Sequence, residues 1–233
     1  MNIGIFGDSF ALDGWTYQTP WWKYLIRHGH TVNSHANAST SILYSAKLIQ
    51  EHASKYDFII WCVTNTNRLT VPIDEDPGIL NSIQIIDFAD PHIKGNLENT
   101  NIKIKLIKDW FKYIQEPDEL FLVGAGVVTY MLSIYKNLMV IPCFIDPVGT
   151  KFNLSEVSNN ELKHYFSDKE TPFTLYKNYD EFRCCHLSIE NNKILGNLIG
   201  GNLNHGIFQP GYENFVTAPN KPRDFYYKLK HEK

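Results

Sequence analysis

Three short runs of this chain, Ile3 to Phe6, Phe58 to Val63 and Leu138 to Ile145, contain no polar side chain. A strand with one wet face alternates apolar and polar residues, so a strand without alternation must be covered on both sides. Such runs separated by segments of helical period require a parallel sheet with helices packed on each face. The expected fold class is therefore α/β, a three-layer sandwich around a central parallel sheet.

The segments between these runs fit that scheme. Thr19-Pro20 reads as a helix start, Thr as N-cap and Pro at the first helical position, with Trp22, Leu25 and Ile26 at helical spacing until Gly29. Thr31 to Asn33 reads as a second strand. Ile42, Ala46 and Ile49 mark one face of the next helix, and Ile107, Trp110, Phe111 and Ile114 mark another. Pro117 opens a largely apolar segment reaching Tyr135, and a short helix is expected near Asn159 to Phe166. Ser188 caps a last helix with Glu190 in its first turn and a buried face of Ile194, Leu195, Leu198 and Ile199. From Thr64 to about Thr100 the pattern dissolves into Pro, Gly, Asp and Asn, long for a plain connection and so a candidate excursion facing a substrate. No repeat or linker divides the chain. One domain over residues 1–205 is expected, and residues 206–233 form a polar, aromatic tail packed on the domain or used for docking.

A formal charge of -3 argues against nucleic acid or an anionic membrane as partner. No stretch approaches the ~18 continuous apolar residues of a membrane span, and Met1-Asn2-Ile3-Gly4 shows no leader pattern. The expectation is a cytoplasmic protein, or a virion-associated one if phage-encoded. Cys62, Cys143, Cys184 and Cys185 form no C-x-x-C pair, so they read as reduced thiols, with no metal site and no cofactor expected. Gly4, Gly7 and Gly14 make neither a dinucleotide fingerprint nor a P-loop, and no G-x-S-x-G elbow surrounds any serine.

Ligands of open parallel sheets bind beyond the carboxyl ends of the strands. Two such ends here are polar: Gly7-Asp8-Ser9-Phe10 and Thr64-Asn65-Thr66-Asn67-Arg68. Turn chemistry alone accounts for each of these when taken singly. Their order, together with Cys185-His186-Leu187-Ser188 at the start of the last helix, resembles the SGNH (GDSL) hydrolase family. Gly7 to Phe10 looks like its first block, Asn37-Ala38-Ser39-Thr40-Ser41 its second, Asn65 to Asn67 its third, and Cys185 to Leu195 its fifth. The resemblance implies a flavodoxin-like SGNH-hydrolase fold and acyl transfer, with Ser9 as nucleophile and His186 as base. It further implies oxyanion donors at the Ser9 and Ser39 backbone N–H groups and at Asn65 or Asn67, with Asp8 and Phe10 lining the substrate.

The implied substrate is a small-molecule or glycan ester, an O-acetylated carbohydrate among them, and an oligomer or larger assembly is compatible with it. The chain departs from the family where Ser39 replaces a glycine, where the third block lacks its Gly-x-Asn-Asp form, and where Arg183 stands in the usual place of the acid. Asp180 or Glu181 supplies the carboxylate by another loop path, or the centre is a Ser-His dyad. His205, after the last helix, is a second-choice base. The alternative reading is a decayed site in a binding or structural protein such as a phage-particle component.

Overall fold

The computed structural model describes residues 1–12, 19–37, 40–64, 66, 69–72, 80–83, 117–143, 154, 187 and 189–216. In chain order the main elements are β1 (Asn2–Gly7), α1 (Lys23–Arg27), β2 (Thr31–Ser34), α2 (Ile42–His52) and β3 (Phe58–Val63). They continue with β4 (Leu69–Pro72), β5 (Leu80–Ile83), α3 (Pro117–Ile134), β6 (Leu138–Pro142), α4 (Ile189–Gly200) and β7 (Gly206–Ile207).

The apolar runs become the middle of a five-stranded sheet of order β2-β1-β3-β6-β7 in which every pairing is parallel. Successive side chains of a strand point to opposite faces, and the core divides accordingly. Ile3 and Ile5 of β1, Phe58, Ile60 and Cys62 of β3, and Met139 and Ile141 of β6 pack with Trp21, Leu25, Leu195 and Ile199 of the α1 and α4 layer. Phe6, Ile59, Trp61, Val63, Leu138 and Val140 pack on the other face with Ile42, Ala46 and Ile49 of α2 and Val128 and Met131 of α3. Both faces are covered, which is why these strands carry no polar position. The fold is a three-layer α/β sandwich.

Helix ends follow local chemistry where tertiary contacts leave them alone. Ser41 caps α2, its hydroxyl accepting from Tyr44 N at 3.2 Å. Gly29, at φ 82°, closes α1 with bonds from Gly29 N to Ile26 O and from His30 N to Leu25 O, the paired pattern of a left-handed C-terminal cap. The start of α1 differs from the expected Thr19-Pro20 cap. The helix begins at Lys23, preceded by tight i to i+3 turns from Pro20 and Trp21, and no side chain caps it. The Trp21 N–H, one of the orphan donors there, is instead taken by Asn192 of α4, the helix packed beside it.

Two segments carry more structure than their sequence pattern announces. Within the Thr64 to Thr100 stretch, β4 and β5 pair antiparallel. Short strands of this kind, one of them ending in Pro72, leave too little periodicity to stand out. Beyond residue 205, Gly206–Ile207 joins the sheet against Met139 and Val140, and Phe208 and Phe215 are buried in the core. Of the described tail, Gly206–Ile207, Phe208 and Phe215 make these contacts, while Tyr212, Glu213, Asn214 and Val216 are exposed. The Ile107 to Ile114 and Asn159 to Phe166 helices, the Ser188 cap, Cys184, Cys185 and the end of the tail lie outside the described residues. No described helix is long and apolar enough to cross a membrane.

Candidate active site

From β1 the chain runs outward to β2 and then back past β1 to β3, so right-handed crossovers place α1 and α2 on opposite faces. The helices that follow β1 and β3 therefore lie on opposite faces, so the carboxyl ends of these two strands are the switch point of the sheet. For a sheet of this order that is where ligands bind. The Gly7-Asp8-Ser9 segment leaves β1 at this point, and Thr64 and Thr66 follow β3.

Gly7 is fixed by the sheet. It pairs with Cys62 at φ 133°, and a Cβ there would lie 2.3 Å from the Cys62 carbonyl oxygen. The chain then folds into a tight turn in which Ala11 N donates to Asp8 O at 3.0 Å and Phe10 N donates to the Asp8 carboxylate at 3.0 Å. Ser9 is half-buried within this turn. Two adjacent indoles hold the turn from below: Trp21 Nε1 donates to Phe10 O at 2.9 Å and Trp22 Nε1 to Ala11 O at 2.8 Å. The Gly7 carbonyl receives both Asn37 N at 3.0 Å and the Thr40 hydroxyl at 3.1 Å. The loop after β2 is tied in this way to the residue that precedes Asp8.

Of the residues singled out from sequence, Ser9, Asp8 and Phe10 are described. Asp8 is fully buried with its carboxylate engaged in the turn, and Phe10 packs in the α1 and α4 layer of the core. Ser39, Asn65, Asn67, Asp180 and His186, with Glu181 and Arg183, lie outside the described residues. Their described neighbours in the chain are informative. Asn37 and Thr40 flank Ala38-Ser39 and bond one carbonyl. Leu187, which follows His186, is buried in the same cluster as Phe10. Thr64, just after β3, buries a hydroxyl that has no hydrogen-bond partner among the described residues. The second-choice base, His205, is exposed, with its Nε2 against Leu132 O at 3.2 Å.

No protein-family model and no curated protein matches the sequence. Among solved structures the chain is similar to an α/β hydrolase from the metagenome of Lake Arreo, Spain, with 12% identity and a TM-score of 0.34 over 63% of this chain and 62% of that one. It is similar also to a catalytic mutant of an acetylxylan esterase from Geobacillus stearothermophilus, with 12% identity and a TM-score of 0.33 over 60% and 58% of the two chains. A third structure, a protein assigned to the lipolytic G-D-S-L family of Desulfitobacterium hafniense, gives 18% identity and a TM-score of 0.36 over 86% and 98%. The chain spans less than two thirds of the length of the first two. Superpositions this loose carry no argument about chemistry; the architecture rests on the sheet order itself.

Reading from sequence overlooked Trp21, Trp22, Thr40 and Asn192 as props of the turn. It also missed a stack behind the same loop. The His35 ring lies between Phe6 and His52, with centroids 4.9 and 4.7 Å away, and shares a 2.5 Å hydrogen bond with the Tyr56 hydroxyl. Burial raises the Tyr56 phenol above its ordinary pKa. Burial, then His52 and Lys55, lowers the His35 pKa below 6.5, and burial foremost lowers that of His30. The unfolded chain therefore takes up these protons first as pH falls. Stability is complete above the unfolded imidazole value, declines as pH drops through it, and levels off below the folded-state pKa. Thermal melts should show Tm falling between pH 8 and pH 5, and His35→Phe, which keeps the stack, should flatten the decline. An unaltered pH slope in that variant would remove His35 from the account.

Proposed function

We propose that this chain is a serine hydrolase of the SGNH (GDSL) type that cleaves an ester, with Ser9 as nucleophile and His186 as general base. The observation that carries the reading is the position of Ser9: a serine on a rigid hydrogen-bonded turn at the switch point of a parallel sheet. The anchoring of Asn37 and Thr40 on the Gly7 carbonyl supports it, because it brings the loop carrying Ser39 to the same strand end.

In this mechanism His186 removes the Ser9 Oγ proton as the oxygen attacks the ester carbonyl, then returns the proton to the departing alcohol. Water, deprotonated by the same imidazole, hydrolyses the acyl-enzyme and frees Ser9. The Ser9 and Ser39 N–H groups and the side chain of Asn65 or Asn67 receive the negative charge that develops on the carbonyl oxygen. The substrate is an acyl or O-acetyl ester on a small molecule or glycan. No cofactor takes part in these steps.

The direct test is labelling by a serine-directed fluorophosphonate. Ser9 should be the modified residue in a peptide map, and labelling should disappear in His186→Ala. Folded protein that stays unlabelled would point instead to a decayed site kept for binding. Asp180→Asn and Glu181→Gln test the missing acid. With Arg183 in the usual place of the acid, a Ser-His dyad is expected, so each variant should change turnover less than about tenfold. A triad that loses its orienting aspartate loses about 10⁴ in turnover, so a drop of that size in either variant would identify a third member.

A further inference from the structure

Asn192 stands in the first turns of α4, almost completely buried, where an asparagine has poor helix propensity and a costly amide to satisfy. Both ends of the amide are used. Its Oδ1 accepts from the Trp21 backbone N–H at 3.1 Å, and its Nδ2 donates to the Leu187 carbonyl at 3.1 Å. Trp21 in turn donates its indole N–H to the Phe10 carbonyl at 2.9 Å. Trp21 and Asn192 thus link the carbonyl of Phe10, the residue after Ser9, to the carbonyl of Leu187, the residue after His186, by three hydrogen bonds, all buried. The neighbouring Asn191 turns the other way. Its amide brackets the backbone of Val216, Nδ2 donating to the carbonyl and Oδ1 accepting from the N–H, both at 2.9 Å. The adjacent asparagines therefore do different work with the same chemistry, one tying the C-terminal segment and one tying the two ends of the proposed centre.

We infer that Asn192 is a positioning residue: through Trp21 it sets the separation between the turn that carries Ser9 and the segment that carries His186. The inference rests on the proposed Ser-His reading. It adds a residue that touches neither substrate nor reacting atoms, yet fixes the geometry in which a proton passes from Ser9 to the imidazole. Proton transfer and attack are steep functions of distance, and a misplacement of about 1 Å costs on the order of 10²-fold. Losing the link should therefore lower the rate of chemistry and leave binding of a small ester nearly unaltered.

The test compares Asn192→Ala with Asn191→Ala in the full chain, using a short p-nitrophenyl ester, fluorophosphonate labelling of Ser9, and thermal melts. Both variants lose a pair of amide hydrogen bonds, buried for Asn192 and partly buried for Asn191, so both should lower Tm. Only Asn192→Ala should lower kcat and the labelling rate, by about 10- to 100-fold with KM within about twofold of wild type. Asn192→Asp keeps the acceptor for Trp21 N and the side-chain volume but loses the donor to Leu187 O. It should fall between wild type and Asn192→Ala, and it replaces the latter if that variant does not fold. If wild type is labelled and the two alanine variants lose turnover equally, or neither loses it, Asn192 is structural only and the inference fails while the Ser-His reading stands. A wild type that is neither labelled nor active overturns both.

Discussion

Ser9→Ala is expected to cut ester turnover by about 10⁴-fold or more, since removing the nucleophile of a triad enzyme leaves only what binding and oxyanion donors supply. The turn should survive. Backbone groups, the Asp8 carboxylate and two indoles supply bonds that hold it and that the substitution leaves in place. A Tm within a few degrees of wild type is therefore expected, with the fluorophosphonate adduct lost completely. His186→Ala should cost nearly as much, and the double variant no more than either single one, because the two residues act as a unit. Steady-state kinetics on a p-nitrophenyl ester with matched circular-dichroism melts would decide. Independent, multiplying losses would mean that Ser9 and His186 do not share a reaction, and turnover unchanged in Ser9→Ala would move the nucleophile elsewhere.

The second large effect is on stability. In Gly7→Ala the new methyl would lie 2.3 Å from the Cys62 carbonyl oxygen, an atom of the central strand that cannot swing aside, and the residue would be held at φ 133°. Backbone strain of about 1–3 kcal/mol and a comparable steric cost together give a loss on the order of 2–5 kcal/mol. Against a typical total of about 5–15 kcal/mol that is severe, equivalent to a Tm lower by roughly 4–20 °C. Activity should fall with it, because the carbonyl that gathers Asn37 and Thr40 belongs to the same residue. Gly29→Ala is the control. It shares a positive φ but meets nothing within 4 Å, so it carries strain without collision and should cost only about 1–2 kcal/mol. Urea unfolding of the two variants measures the difference, and equal losses would show that conformation alone, not contact with Cys62, makes Gly7 a glycine.

Much of the sheet was legible before any tertiary contact. β1, β3 and β6 announce themselves because a strand covered on both faces has no polar position to offer, and α2 and α4 do so through apolar residues at helical spacing. Ser9 stood out because Gly-Asp-Ser ends the first of these strands. The start of α1 was misread at Thr19-Pro20 because capping preference is a local signal worth about 1 kcal/mol, and the contacts of Trp21 and Trp22 outweigh it. The β4 and β5 pair and the joining of Gly206–Ile207 to the sheet escaped notice for a related reason: strands of four and two residues have almost no periodicity to read.

What the sequence determined by itself is the class of fold, through apolar runs that demand a covered parallel sheet, and the places in the chain of a serine after the first of them and a histidine before the last helix. Which strand lies beside which was decided only in three dimensions. The order β2-β1-β3 puts the strand that Ser9 follows inside the sheet rather than at its edge. The bond from Trp21 to Asn192 joins residues 171 positions apart, and the stack of His35 on Phe6 and His52 is likewise a meeting of separate elements. Periodicity along a chain reports whether a side chain is buried, because burial recurs with the turn of a helix or the pleat of a strand. It carries no record of the partner, because the partner is chosen by how the layers close over one another.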